Sequence, residues 1–210
     1  MINDSSPRRG FLGRLLAIAG GLGAPSAVAA AAEPRAVGLI EDAWTKRVRG
    51  KHRVIFHSHE PTGGISLRWA KTFLDTQKSS YALTDSDSTV VVGLNGKAIG
   101  LLFNDHMWAK YPIGATLGMP GSINPAGPAG SNEIAALVAR GAILLVCQNS
   151  LRLSGQRFLP DAARGDASAR SAFAQEAAAN LIAGAETVPA MIVTLQQAQD
   201  LGCRYVYGGA

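Results

Sequence analysis

Cysteine is scarce in this chain of 210 residues, with Cys147 and Cys203 the two present. So small a number cannot supply the disulfide framework on which many small secreted domains depend. Aromatic residues make up 6% of the chain and charged residues 17%. No stretch interleaves Lys or Arg with aromatics, which argues against a nucleic-acid surface. Long apolar runs are also missing, and nothing approaches the roughly 20 strongly apolar residues that a stable membrane anchor needs. The sequence lacks a GxGxxG turn, a Walker loop, a Ser-His-Asp elbow and a paired-carboxylate signature, so nucleotide enzymes and classical hydrolases are not supported. What it does have is 47% hydrophobic residues punctuated by 24 glycines and 10 prolines. That suits one domain with one good-sized core. The formal charge is +5, and three of the arginines fall within the first 32 residues, so the remainder is close to balanced.

Those first residues read as a targeting segment. Arg8 and Arg9 precede Phe11 and Leu12, a modestly apolar stretch runs from Leu15 to Ala24, and Pro25-Ser26-Ala27-Val28-Ala29 follows. This is the pattern of a twin-arginine export signal with small residues at its cleavage site. Pro7 stands where Ser or Thr is more usual. The organisation expected is a signal over 1–32, cut between Ala29 and Glu33, a charged lead-in over 33–50 and a domain over 51–210. The destination expected is the periplasm.

Along the domain, strand and helix patterns alternate. Arg53 to His57 is a short β-branched and aromatic run of the kind that fills a buried strand. A turn at Pro61 to Gly64 leads to Ile65, Trp69, Phe73 and Leu74 at helical spacing, which predicts a helix over 65–77. Thr89 to Leu94 is a second strand, closed by Asn95-Gly96. The apolar run Ala98 to Phe103 fits a helix start or a strand by periodicity, and we read it as a short helix. Asn104 to Lys110 reads as another helical turn, and 116–131, rich in Gly and Pro, as an irregular covering loop. A helix over 132–140 precedes the strand Ala142 to Cys147. Beyond a polar stretch over 154–166, an Ala-rich helix is expected over 167–183, ended by Gly184. Then come Thr187 to Ala190, a helix over 192–201 and a strand over Arg204 to Tyr207. Strands separated by helices imply a mainly parallel five-stranded sheet in a three-layer α/β/α domain.

Open parallel sheets bind ligands outside the carboxyl ends of their strands. The first strand places His57, Ser58, His59 and Glu60 there. The second places Asn95, with Asn104, Asp105 and His106 beyond it, and the third places Cys147, Gln148, Asn149 and Ser150. Cys203 begins the last strand, at the opposite edge, so the two thiols are not expected to pair.

The run Val54-Ile55-Phe56-His57, then Val91-Val92-Gly93-Leu94-Asn95-Gly96, Leu144-Leu145-Val146-Cys147-Gln148-Asn149-Ser150-Leu151 and Gln199-Asp200-Leu201-Gly202-Cys203-Arg204-Tyr205-Val206 resembles the DsrE/DsrF-like family. The likeness runs from about Lys51 to Gly208. The segment Asn104-Asp105 to Trp108-Ala109-Lys110-Tyr111 and the export signal are similar to its exported branch. The resemblance implies a five-stranded parallel α/β/α sheet, assembly into trimers or hexamers, and kinship with sulfur-relay proteins that carry a persulfide on a cysteine.

Two functional readings follow. In the first, Cys147 is a sulfur or thiol carrier that hands sulfur to a relay partner protein, its thiolate favoured by His57 or Arg152. In the second, the chain is a non-catalytic binding module. A metal would then use His57, His59, His106 and Cys147, a set suited to zinc or copper, and a small ligand would use His59, Asn95, Asn104, Asp105, Asn149 and Ser150. No cofactor is required by either. The plainer roles are buried small hydrophobes for the cysteines and strand-end histidines bonded to their surroundings. For Asn104 and Trp108 they are a helix cap and a packed aromatic.

Overall fold

The computed structural model describes residues 42–209. The expected export signal and cleavage site lie outside the described residues. Five strands form one sheet in the order β4-β3-β2-β1-β5, and every pairing in it is parallel. They are β1 (His52–Ser58), β2 (Ser88–Leu94), β3 (Ile143–Cys147), β4 (Ala185–Val188) and β5 (Arg204–Tyr207). In β2 and β3 nearly every residue is buried, and for this reason they read as unbroken apolar runs in the sequence, with no alternation.

The two faces are covered unequally. From β1 the chain steps outward through β2 and β3 to β4, and each connection returns over the same face. That face carries α1 (Ile65–Tyr81), a 3₁₀ segment Ala98–Leu102, α2 (Asp105–Lys110), α3 (Ile113–Leu117) and α4 (Glu133–Ala139). Between β3 and β4 it adds α5 (Gln148–Arg152), α6 (Gly155–Phe158), α7 (Asp161–Arg164) and α8 (Ala167–Ala179). Val54, Phe56, Val92, Leu94, Leu144 and Val146 meet these elements in the larger core. The last crossover, from β4 back to β5 beside β1, runs over the other face as α9 (Met191–Asp200). There Ile55, Val91, Ile143 and Leu145 pack with Met191, Leu195 and Ala198, and with Trp44 of a 3₁₀ turn Ala43–Arg47. Right-handed crossovers demand this change of face when the direction of travel reverses. The charged lead-in therefore contributes to the core, because Trp44 is 1% exposed.

Several segments differ from the sequence reading. The helix expected over 167–183 stops at Ala179, well before Gly184. Tertiary bonds outcompete the next helical turn: Asn104 N donates to Asn180 O at 3.0 Å, Ile182 N donates to Leu102 O at 2.8 Å, and Leu181 bridges Phe103. The polar stretch over 154–166 contains α6 and α7, held down by Phe158 at 0% exposure. The fourth strand spans Ala185–Val188, ahead of the expected Thr187 to Ala190, since Pro189 has no N–H for the ladder. The covering loop begins inside α3, and beyond it the chain is fixed by Asn124. Its Nδ2 donates to Leu101 O and Phe103 O at 2.8 Å each, and its Oδ1 accepts from Ala126 N at 3.0 Å.

Candidate binding site at the carboxyl edge of the sheet

His57 ends up between two partners. Its Nε2 lies 3.0 Å from Asn95 Oδ1 and its Nδ1 3.1 Å from Tyr205 Oη. An amide oxygen only accepts, so Nε2 carries the proton and Nδ1 accepts from the tyrosine hydroxyl. Burial pushes the imidazole below its usual range, against the opposing effect of the Asn95 bond, and the charge of His59 pushes the same way as burial. His57 is a neutral group held in one tautomer. Strand alternation puts it on the α9 side of the sheet, and Asn95, which it touches, shares that side.

Cys147 faces the same side, packed in the cluster with Leu145, Val188 and Met191, and is 4% exposed. His57 pairs with Gly93, which pairs with Leu145, so the two side chains start two strands and two residues apart. That is roughly 12 Å by strand geometry, too far for His57 to hold a thiolate at Cys147. Arg152, the other expected partner, spends an Nη2 hydrogen bond on Asn149 Oδ1. Cys203 is equally buried, its thiol pushed up by desolvation, and both cysteines are unpaired.

The remaining expected residues divide. Ser150 is buried and its Oγ accepts from Gly96 N at 2.9 Å, tying the loops after β2 and β3 together. Asn104 caps α2, accepting from Met107 N. Asp105 accepts from Asn124 N at 2.9 Å and Ala129 N at 3.3 Å, pinning the covering loop. His59 is exposed, with Glu60 3.9 Å away. His106 lies against Glu176, 3.2 Å away on α8, in an exposed group with Lys110 and Tyr111. There the Lys110 ammonium and then the Tyr111 hydroxyl pull the Glu176 carboxyl down to about 2. His106 thus stands apart from His57 and Cys147. Among the described residues no three His, Cys, Asp or Glu side chains are grouped to hold a metal ion.

Asn149 is the expected ligand residue that lines the groove at the carboxyl edge. A groove of about 1090 Å³ opens outside the carboxyl ends of β3 and β4. Asn149 and Arg152 of α5 form one wall, Arg170, Ser171 and Gln175 of α8 form another, and Thr187 and Pro189 close the end. The place has a topological cause. After β3 the chain turns onto the thick face, and after β4 it turns onto the α9 face, so the two loops part and leave a crevice. Reversals of this kind are where open α/β sheets bind their ligands. The groove opens on the α8 side, whereas Cys147 faces α9. α8 presents Phe173 and Ala177 to the core and Arg170, Ser171, Ala174 and Gln175 to the groove.

No family model matches the chain, and no curated protein matches it. Among solved structures, the chain is similar to a protein of unknown function, MTH1491 from Methanobacterium thermoautotrophicum, at 16% identity, covering 75% of this chain and 99% of that one with a TM-score of 0.46.

Sequence reasoning missed Arg170, Ser171 and Gln175, which lie on a helix far along the chain from the strand ends. One signal was present: between the core positions Phe173 and Ala177, the opposite face of α8 carries small and polar residues at helical spacing.

Proposed function

We propose that the chain is an exported, DsrE-like binding module that takes a small ligand in the groove between β4, α5 and α8. One observation carries this reading: the open space at the carboxyl edge coincides with the point where successive crossovers change face, and Asn149 and Arg152 of α5 and Thr187 near the end of β4 reach it. The twin-arginine pattern at Arg8 and Arg9 supports a periplasmic destination, and the motif likeness supports the family. Ser171→Trp tests the groove. Ser171 is exposed, so the variant should keep its circular dichroism and unfolding midpoint while losing the thermal shifts that a small-metabolite panel gives the parent. Shifts that survive Ser171→Trp would overturn the reading.

Sulfur carriage on Cys147 is a second reading. It is favoured by the unpaired thiol standing at the end of β3, on the same sheet face as the His57–Asn95 pair. A carrier must expose its sulfur, and Cys147, 4% exposed, does so only if the apolar cluster in which it is packed opens. Alkylation of the folded protein near neutral pH, followed by mass mapping, separates the readings. Slow labelling of both cysteines until denaturant is added fits binding, and selective labelling of Cys147 fits carriage.

A further inference from the structure

Among the described residues, two guanidinium groups border the groove and no carboxylate does. Arg152 is exposed, and its guanidinium donates to Asn149 Oδ1. Arg170 is half-buried and gives one Nη1 hydrogen bond to Arg164 O at 2.6 Å. The carboxylates of the surrounding elements are engaged elsewhere. Asp161 pairs with Arg164 at 2.7 Å, and Asp166 accepts from Ser168 N and Ala169 N at the start of α8. Glu186 pairs with Arg47, and Glu176 takes Lys110 and Tyr111. Two positive charges therefore face one crevice with donors to spare, beside side-chain amides from Asn149, Gln148 and Gln175 and hydroxyls from Ser171 and Thr187. A guanidinium fork matches an oxyanion in shape as well as charge. The groove also has an apolar floor, with Leu151, Pro189 and the alanines of α8, and its volume exceeds that of any inorganic ion.

We propose that the groove binds a small organic oxyanion, its carboxylate or phosphate head held by Arg152 and Arg170 and its apolar body laid along α8. This rests on the binding-module reading and specifies its ligand class. Gly155 supports the arrangement, since a Cβ there would stand 2.7 Å from Arg170 Cα, so its absence lets α6 seat α8 at the height that brings Arg170 to the groove.

The test is calorimetric titration of the full chain, at low and high salt, with benzoate and phenyl phosphate as anionic probes and benzyl alcohol as their neutral counterpart. Binding of at least one anion at about 1 mM or tighter is expected, weakening with salt and exceeding that of the alcohol. Arg152→Gln and Arg170→Gln should each weaken it about 10- to 100-fold. Arg152 touches only a surface amide, so its variant remains informative even if the loss of the Arg170–Arg164 contact disturbs α8. No anion binding at this level, anion binding unchanged by Arg152→Gln, or alcohol bound as well as the anions would overturn the oxyanion assignment. If Ser171→Trp still blocks the alcohol in that last case, the groove reading stands without it. If Ser171→Trp leaves every probe bound, the groove itself is the wrong place.

Discussion

His57 ties local chemistry to stability. Its cation is disfavoured in the fold, so as pH falls below the free value of about 6.5 the unfolded chain takes up a proton that the native chain resists. Stability from this residue is complete above that value and declines as pH drops toward the lowered native value, below which it changes no further. Urea unfolding midpoints measured from about pH 7.5 to about pH 5 should therefore fall, and fall less in His57→Gln. An unchanged slope would mean that the imidazole is not shielded. Asn124 offers a sharper case. At 0% exposure it serves three backbone groups, and Asn124→Ala strands them in the interior. A loss of about 2–4 kcal/mol in denaturant titration is expected, with faster proteolysis of the 118–131 loop. The positions of His57, Asn95 and Cys147 at one edge were legible, because a strand end can be counted from an apolar run. The role of Asn124 was not, because its partners Leu101 and Phe103 lie more than twenty residues away and carry no local signature.

Among elements, β1, β2 and β3 were the most legible, since both faces of the sheet are covered there and their residues are mostly buried and apolar. Short helices between β3 and β4 were the least. α6 and α7 have four residues each, too few for a period to show, and the end of α8 is set by bonds from the far loop at Asn104. The packing of α6 on α8 depends on one residue without a side chain. Gly155→Ala would push against Arg170 backbone atoms at 2.7 and 2.9 Å, contacts that cannot swing away. We expect about 1–3 kcal/mol of destabilisation by chemical denaturation, accompanied by weaker anion binding in the groove. A variant as stable as the parent would show that α8 shifts freely, and would remove Gly155 from the account of the site.

At the scale of the molecule, the thin face stands out. Ile192 is 77% exposed and Val193 52% on α9, with Tyr205 at 44% and Tyr207 at 43% on the adjoining edge strand. An apolar surface of this kind is where a monomer would be expected to meet a copy of itself, in line with the trimer or hexamer that the family likeness implies. Light scattering of the chain at micromolar concentration should give a multiple of the monomer mass, reduced by Ile192→Asp. A monomer in both would refute it. This asymmetry was not legible from residue types, because an exposed isoleucine on a helix reads like a buried one until the neighbouring layer is known.

The position of β5 bears on when the fold can be completed. The first described strand has the last one as its outer neighbour, and Ser58 Oγ reaches Gly208 O across 150 residues of chain. During synthesis β1 can find β2 early, but its other edge stays open until β5 has left the ribosome. Sealing that edge is thus a sign that all five strands of the sheet have been made. The last described strand thus acts as the sheet's own certificate of completeness, and a chain cut short before Arg204 would keep a raw sheet edge and the Ser58 and Ser66 hydroxyls without their lid.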